Sequence, residues 1–128
     1  MPNKQKITVH LIDEDEDVFV LLKAFLSEGS RFFYDVSWSG AFKNGLEHAV
    51  HRQYDVVLLA DMLGAKTGIE LLDRAVSKGC TAPFILLTNN TENNVDSQAI
   101  KRGAIDYLSK ESFNQESLER SIEYAIER

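Results

Sequence analysis

Five consecutive acidic residues, Asp13 to Asp17, directly follow an apolar stretch, Ile7 to Ile12, and a helical pattern begins behind them. Two carboxylates about 4 Å apart repel each other by roughly 4 kcal/mol at a surface-like effective dielectric. A folded protein must therefore compensate such a pair with a divalent ion, a lysine or bound protons. Oxygen ligands of this kind suit Mg²⁺ or Ca²⁺. The junction predicts a cation site in this acidic run, which the pair Asp13 and Glu14 opens.

Three further polar side chains stand at the ends of predicted strands, namely Asp61, Thr88 and Lys110. Parallel strands of successive βα units finish on one edge of a sheet, so these groups are expected to converge on the acidic pair. Carboxylates, a hydroxyl and an ammonium together can hold Mg²⁺, accept a phosphoryl group and contact its oxygens. The set favours phosphoryl chemistry.

Strand-length apolar runs alternate with helical patterns along the chain. We predict strands over residues 7–12, 34–38, 55–60, 84–88 and 105–108. One helix is predicted to end near Gly29, and a second covers about 41–51. A third begins at Gly68, a fourth ends near Arg102, and the last follows an Asn114 cap. This alternation predicts an α/β fold with a parallel sheet.

The composition narrows the class of protein. A chain of 128 residues fits a single domain over 1–128. The formal net charge of −6 disfavours nucleic acid and anionic membranes as partners. No apolar run is long enough to span a bilayer, and a single cysteine excludes an internal disulfide. We therefore expect a cytoplasmic protein with no DNA-binding or catalytic domain after Arg128.

In order and spacing, several segments resemble the CheY-like receiver domain of two-component response regulators, over essentially the whole chain. The matching segments are Leu11–Glu14, Tyr54–Leu59, Gly68–Leu72, Ile85–Thr88 and Gly103–Lys110. The resemblance implies a flavodoxin-like three-layer sandwich whose five-stranded parallel sheet has the order 2-1-3-4-5.

The same resemblance implies roles for individual residues. Asp13 and Glu14 would hold Mg²⁺, and Thr88 and Lys110 would contact the phosphoryl group. Tyr107 matches the switch aromatic that reports phosphorylation to the face formed by the fourth helix, fifth strand and fifth helix. A sensor histidine kinase or a downstream target protein is the implied partner at that face.

The phosphoacceptor is where this chain departs from the family. The family's aspartate lies five residues after the acid that opens the third strand and eight before the glycine of the next helix; counted from Asp55 and Gly68, both rules lead to Ala60. Asp61 comes one residue later, and strand alternation turns it away from the pocket unless a bulge and a shortened loop compensate. We predict that Ala60 occupies the usual acceptor position and that Mg²⁺ binding is weakened as a result. Asp61 remains the candidate acceptor.

Three loop residues also depart from the family pattern. Gly64 stands where proline is usual, Asn89 replaces a small residue, and Glu111 replaces the proline after the lysine. That proline normally supports a cis peptide bond, which a Lys110–Glu111 bond would rarely adopt. The pocket is therefore expected to be altered in these loops.

These observations predict a stand-alone receiver-type signalling domain that works through protein contacts and is not an enzyme. One alternative is an active receiver phosphorylated on Asp61. Another is a phosphatase of the haloacid-dehalogenase type, with Asp13 as nucleophile and Asp15 as general acid/base. That alternative requires a further carboxylate pair on a strand after Lys110.

Overall fold

The computed structural model of the chain describes residues 5–28, 31–89, 100 and 102–127. Its strands are β1 (Gln5–Ile12), β2 (Phe32–Ser39), β3 (Val56–Ala60), β4 (Met62–Leu63), β5 (Lys66–Thr67), β6 (Phe84–Thr88) and β7 (Asp106–Ser109). Within the described ranges, the helices of known extent are α1 (Glu16–Ser27), α2 (Phe42–His51), α3 (Gly68–Ser77) and α4 (Gln115–Glu127). None of these helices is both long and apolar enough to cross a membrane.

Five of the strands form one parallel sheet of order β2-β1-β3-β6-β7. When the short β4 and β5 are left out, this is the predicted order 2-1-3-4-5, so the flavodoxin-like α/β fold is confirmed. The register places Ile12 opposite Leu59 and Ala60 opposite Leu87. The strands therefore end together, and their following residues share one edge of the sheet.

The core lies on both faces of the sheet, which explains why its central strands are nearly continuous apolar runs. Val56 and Leu58 of β3 pack in one hydrophobic cluster, with side chains from α1 and α4. Val57 and Leu59 pack in the other, with side chains from α3. All four β3 residues are fully buried, so β3 is a fixed platform for the residues that follow it.

Side-chain caps fix where three helices begin. Asp15 Oδ1 accepts from the backbone N–H of Asp17 at the start of α1, and Thr67 Oγ1 accepts from that of Glu70 in α3. The predicted Asn114 cap is confirmed, because its Oδ1 accepts from the N–H of Ser117 at 2.9 Å. Such caps satisfy backbone donors that have no partner inside a helix.

The segment between β3 and α3 contains an antiparallel hairpin of β4 and β5 that the sequence reasoning missed. Gly64, at its turn, has φ +64°, a conformation that glycine adopts without steric cost. The observed β2 also begins two residues before the predicted strand. The helix predicted to end near Arg102 lies largely outside the described residues.

Candidate functional site

The buried carboxylate of Asp13 is paired with Lys110 at the carboxyl edge of the sheet. Lys110 Nζ lies 2.7 Å from Asp13 Oδ2, and the two side chains are 14% and 3% exposed. Within the described part of the chain Oδ2 accepts no hydrogen bond of good geometry, so the contact is mainly electrostatic. Asp13 Oδ1 accepts from the backbone N–H of Asp15 at 3.0 Å. The carboxylate is thus held from both sides.

Two backbone contacts position these partners. The indole Nε1–H of Trp38 donates to the carbonyl oxygen of Asp13 at 2.7 Å, which ties the loop after β1 to β2. The N–H of Lys110 donates to the carbonyl oxygen of Thr88 at 2.9 Å, which extends the β6–β7 pairing by one residue. Trp38 was missed in the sequence reasoning because nothing in its spacing indicates a loop contact.

Glu14 points to a different partner. Its side chain is exposed, and Oε1 accepts from the backbone N–H of Gly64 at 2.8 Å. The contact joins the acidic loop to the β4–β5 turn. The structure thus directs the two predicted metal-binding acids to separate partners, Asp13 to Lys110 and Glu14 to Gly64.

Asp61 and Thr88 form a second polar pair at the same edge. Thr88 Oγ1 donates to Asp61 Oδ2 at 3.2 Å, and Thr88 is buried. Because Ala60 lies opposite Leu87, Asp61 and Thr88 are the next neighbours on adjacent parallel strands and share a face. The carboxylate therefore reaches the predicted phosphate-contacting hydroxyl through regular strand geometry.

The backbone of Asp61 is held on both sides. Its N–H donates to the Leu87 carbonyl at 2.9 Å, and its carbonyl accepts from Gly68 N–H at 2.8 Å. A Cβ placed on Gly68 would lie 2.0 Å from the carbonyl oxygen of Ala60, so only glycine permits this approach of α3. These contacts fix the end of β3.

Magnesium was predicted for this edge, and the structure gives both predicted acids other partners. Across the described ranges, no three His, Cys, Asp or Glu side chains are grouped so that they could hold a metal ion. Asp13 is already paired with Lys110, and Glu14 is bonded to Gly64. Ala60 adds no oxygen ligand from its side chain.

Residues 9–123 match the model of the response regulator receiver domain family. The chain belongs to this family. The transcriptional regulatory protein CiaR of Streptococcus pneumoniae is 30% identical over 122 residues, 95% of this chain and 52% of its own length. The response regulator ArlR of Staphylococcus saprophyticus is 31% identical over 104 residues, 81% of this chain and 46% of its own. The chain thus spans about half the length of these curated relatives.

Solved receiver structures share the fold. The receiver domain of a Francisella response regulator has a TM-score of 0.84 at 23% identity, covering 95% of this chain and 98% of that one. A receiver domain of a Pseudomonas aeruginosa sensor histidine kinase, with a magnesium ion coordinated in its active site cleft, has a TM-score of 0.83 at 20% identity. That match covers 96% of this chain and 99% of the other.

The receiver domain places Tyr107, the predicted switch residue, on β7. Its side chain is 44% exposed on β7, and it contributes its backbone N–H to the carboxylate of its neighbour Asp106 at 2.8 Å. Ser121 of α4 donates to the other oxygen of Asp106 at 2.7 Å. Tyr107 therefore lies at the surface of β7, the strand that Asp106 ties to α4.

The three predicted loop departures have different structural outcomes. Gly64 forms the hairpin turn, whereas Asn89 is exposed directly after β6. The N–H of Glu111 donates to Ser109 Oγ at 3.3 Å, and the Lys110–Glu111 bond is not cis, as expected without proline. The phosphatase alternative requires a strand after Lys110, whereas the regular element described among residues 111–127 is the helix α4.

Proposed function

We propose that this receiver domain signals through protein contacts without accepting a phosphoryl group at the usual position, because Ala60 stands there. The register of β1 against β3 carries the proposal. Ile12 lies opposite Leu59, so the next residues on the two strands, Asp13 and Ala60, are neighbours at the site edge. Ala60 offers only a fully buried methyl group beside the Asp13–Lys110 pair. A methyl group cannot act as the nucleophile in phosphoryl transfer.

An active receiver that uses Asp61 is the second candidate, and the Thr88–Asp61 hydrogen bond favours it. Phosphoryl transfer also needs cations that neutralise the developing charge. The ammonium of Lys110 contacts the carboxylate of Asp13. Asp13 follows β1 at the position beside Ala60, not beside Asp61. On this ground we favour the receiver without phosphoryl transfer.

We further propose that Mg²⁺ binds this receiver weakly. Mg²⁺ is usually held through one or two carboxylates together with water. Here a metal ion would have to compete with Lys110 for Asp13 and with the Gly64 N–H for Glu14. The family's third carboxylate is replaced by the methyl group of Ala60.

Partner binding is assigned to the surface that includes β7 and α4, and the partner is a sensor histidine kinase or a downstream protein. Tyr107 of β7 is 44% exposed and Tyr124 of α4 is 46% exposed. Large exposed aromatic side chains are favourable anchors in protein interfaces. On this account the domain is a binding module, not an enzyme.

Intact-mass spectrometry after incubation with acetyl phosphate and Mg²⁺ tests the proposal. Neither the unchanged protein nor the Asp61→Asn variant should gain mass during this incubation. Asp35→Asn is a matched control, since Asp35 is exposed on β2 and pairs with Lys6. Addition of one phosphoryl group that is lost in Asp61→Asn and kept in Asp35→Asn would show an active receiver that uses Asp61.

A further inference from the structure

A groove between α2 and α3 has an apolar floor. Phe42, Leu46 and Val50 occur at four-residue intervals along α2 and line this groove, whose volume is about 370 Å³. All three are only partly buried and pack against the core cluster on this side of the sheet. The groove therefore leaves an apolar strip of α2 partly exposed. From Phe42 to Val50 this strip is about 12 Å long, at a rise of 1.5 Å per helical residue.

The rim of the groove is strongly basic. Four cationic side chains and one acidic side chain line it, together with His51; the charged ones are Lys43, Lys66, Arg74, Lys78 and Glu47. All five are exposed. The chain as a whole has a formal net charge of −6, so this concentration of positive charge runs against its composition. A local field of this sign attracts anionic groups.

Few carboxylates of the protein itself neutralise this rim. Among the described residues, one of the four cations of the rim forms an ion pair. Arg74 lies 3.8 Å from Glu70, which is one helical turn away on α3. Exposed pairs of this kind contribute little binding energy. The three lysines remain available to the carboxylates of another molecule.

The Phe42 ring is already used by two of these cations. Lys66 Nζ lies 4.6 Å from the ring centroid, and the Arg74 guanidinium carbon lies 5.5 Å from it. Single-stranded nucleic acids bind through bases stacked on free aromatic faces. Phe42 already packs with two cations, so the groove fits a ligand that offers carboxylates and aliphatic side chains better than one that stacks bases.

We propose that the α2–α3 groove binds an acidic peptide segment of a partner protein. Leucine-like side chains of that segment would lie on Leu46 and Val50, beside Phe42, and flanking carboxylates would face the basic rim. The groove length matches about two turns of helix or four extended residues. This surface is separate from the β7–α4 surface, and the proposal does not depend on phosphorylation.

Fluorescence anisotropy with a labelled peptide, Glu-Glu-Leu-Glu-Glu-Leu-Leu-Glu-Glu, tests the proposal. Three comparison probes replace Leu by Ser, replace Glu by Lys, or consist of oligothymidine of equal charge. Lys66→Glu combined with Lys78→Glu reverses the rim. Lys23→Glu combined with Arg120→Glu makes the same net change at exposed positions on α1 and α4. Circular dichroism checks that both variants fold, and Lys66→Gln with Lys78→Gln repeats the test without introducing negative charge.

The acidic leucine peptide should bind saturably, and the rim reversal should weaken its affinity by about tenfold or more, against less than about twofold for the control. Amide shifts in ¹H–¹⁵N spectra should cluster on α2 and α3. Equal losses in the two variants, equal binding of the Ser probe, or no saturation up to about 1 mM would overturn the proposal. Tighter binding of oligothymidine would point to a nucleic-acid surface instead. Self-association abolished by the rim reversal would point to a second copy of the chain, and would equally overturn the proposal.

Discussion

The ammonium of Lys110 lies 2.7 Å from Oδ2 of Asp13, and both side chains are nearly buried. An acidic cluster at the end of a strand needs a compensating cation, which can be a metal ion or a lysine. In this structure the lysine that follows β7 meets the first acid of the loop after β1. The pair links two non-adjacent strands of the sheet, so it bears on stability as well as on the site.

Replacing Lys110 by methionine should destabilise the protein by about 3 kcal/mol at pH 7, because the buried carboxylate of Asp13 loses its counter-charge. Urea unfolding followed by circular dichroism measures the change. Lys23→Met on the exposed face of α1 is the matched control and should change stability by less than about 0.5 kcal/mol.

A double-mutant cycle separates this pair from a simple packing effect. Adding Asp13→Asn to Lys110→Met removes the unpaired charge, so the double variant should be more stable than Lys110→Met alone. Strictly additive losses from the two substitutions would show that the contact between the two side chains contributes no coupling energy.

His10 should make the stability of the fold depend on pH. It is fully buried in β1, where its ring nitrogens lie 2.7 Å from Ser37 Oγ and Ser39 Oγ. Burial, with smaller contributions from His48 and Arg52, lowers its pKa from 6.5 to about 4. The unfolded chain therefore binds a proton near pH 6.5 that the folded protein takes up only near pH 4. Stability contributed by neutral His10 should be lost as the pH falls through this window, by about 3 kcal/mol in total.

Urea unfolding of the parent and of His10→Gln at pH 7 and pH 4.5 measures this contribution, because glutamine does not titrate. The loss of stability between the two pH values should be smaller in His10→Gln by about 2 kcal/mol. His51→Gln, at an exposed position of α2, should behave like the parent. The same loss in all three proteins would contradict the assignment to His10.

Magnesium should bind the parent weakly and the Ala60→Asp variant more tightly. The fluorescence of Trp38, the single tryptophan of the chain, reports on the site because its indole N–H donates to the Asp13 carbonyl. Titration with MgCl₂ should give a saturable change at lower concentration in Ala60→Asp, since a third carboxylate joins the acidic pair. Titration with KCl at matched ionic strength is the control. Equal affinity for the two proteins would show that position 60 does not contribute to the metal site.

The strands were predictable because their physical cause lies in the local sequence. The segment from Val56 to Ala60 is apolar at every position, as a strand covered on both faces must be. Alternation with helical patterns then leads to a parallel sheet. The resemblance to receivers supplied its strand order.

The partners within the site were harder to predict, because they depend on loop conformations that periodicity does not describe. Nothing in the spacing of Glu14 and Gly64 indicates their hydrogen bond, which arises from the unpredicted β4–β5 turn. Strand alternation indicated that Asp61 faces away from the acceptor position. It did not reveal that Thr88, on the neighbouring strand, shares that face and donates to Asp61.

We propose that Ala60 occupies the position of the phosphoacceptor, and intact-mass spectrometry of the Ala60→Asp variant is the sharpest test. The variant is incubated with acetyl phosphate and Mg²⁺ in an Asp61→Asn background, and peptide mapping locates any modification. Circular dichroism confirms that the variant is folded. We expect the addition of one phosphoryl group at position 60 of this variant. A folded variant that gains no phosphoryl group would contradict it.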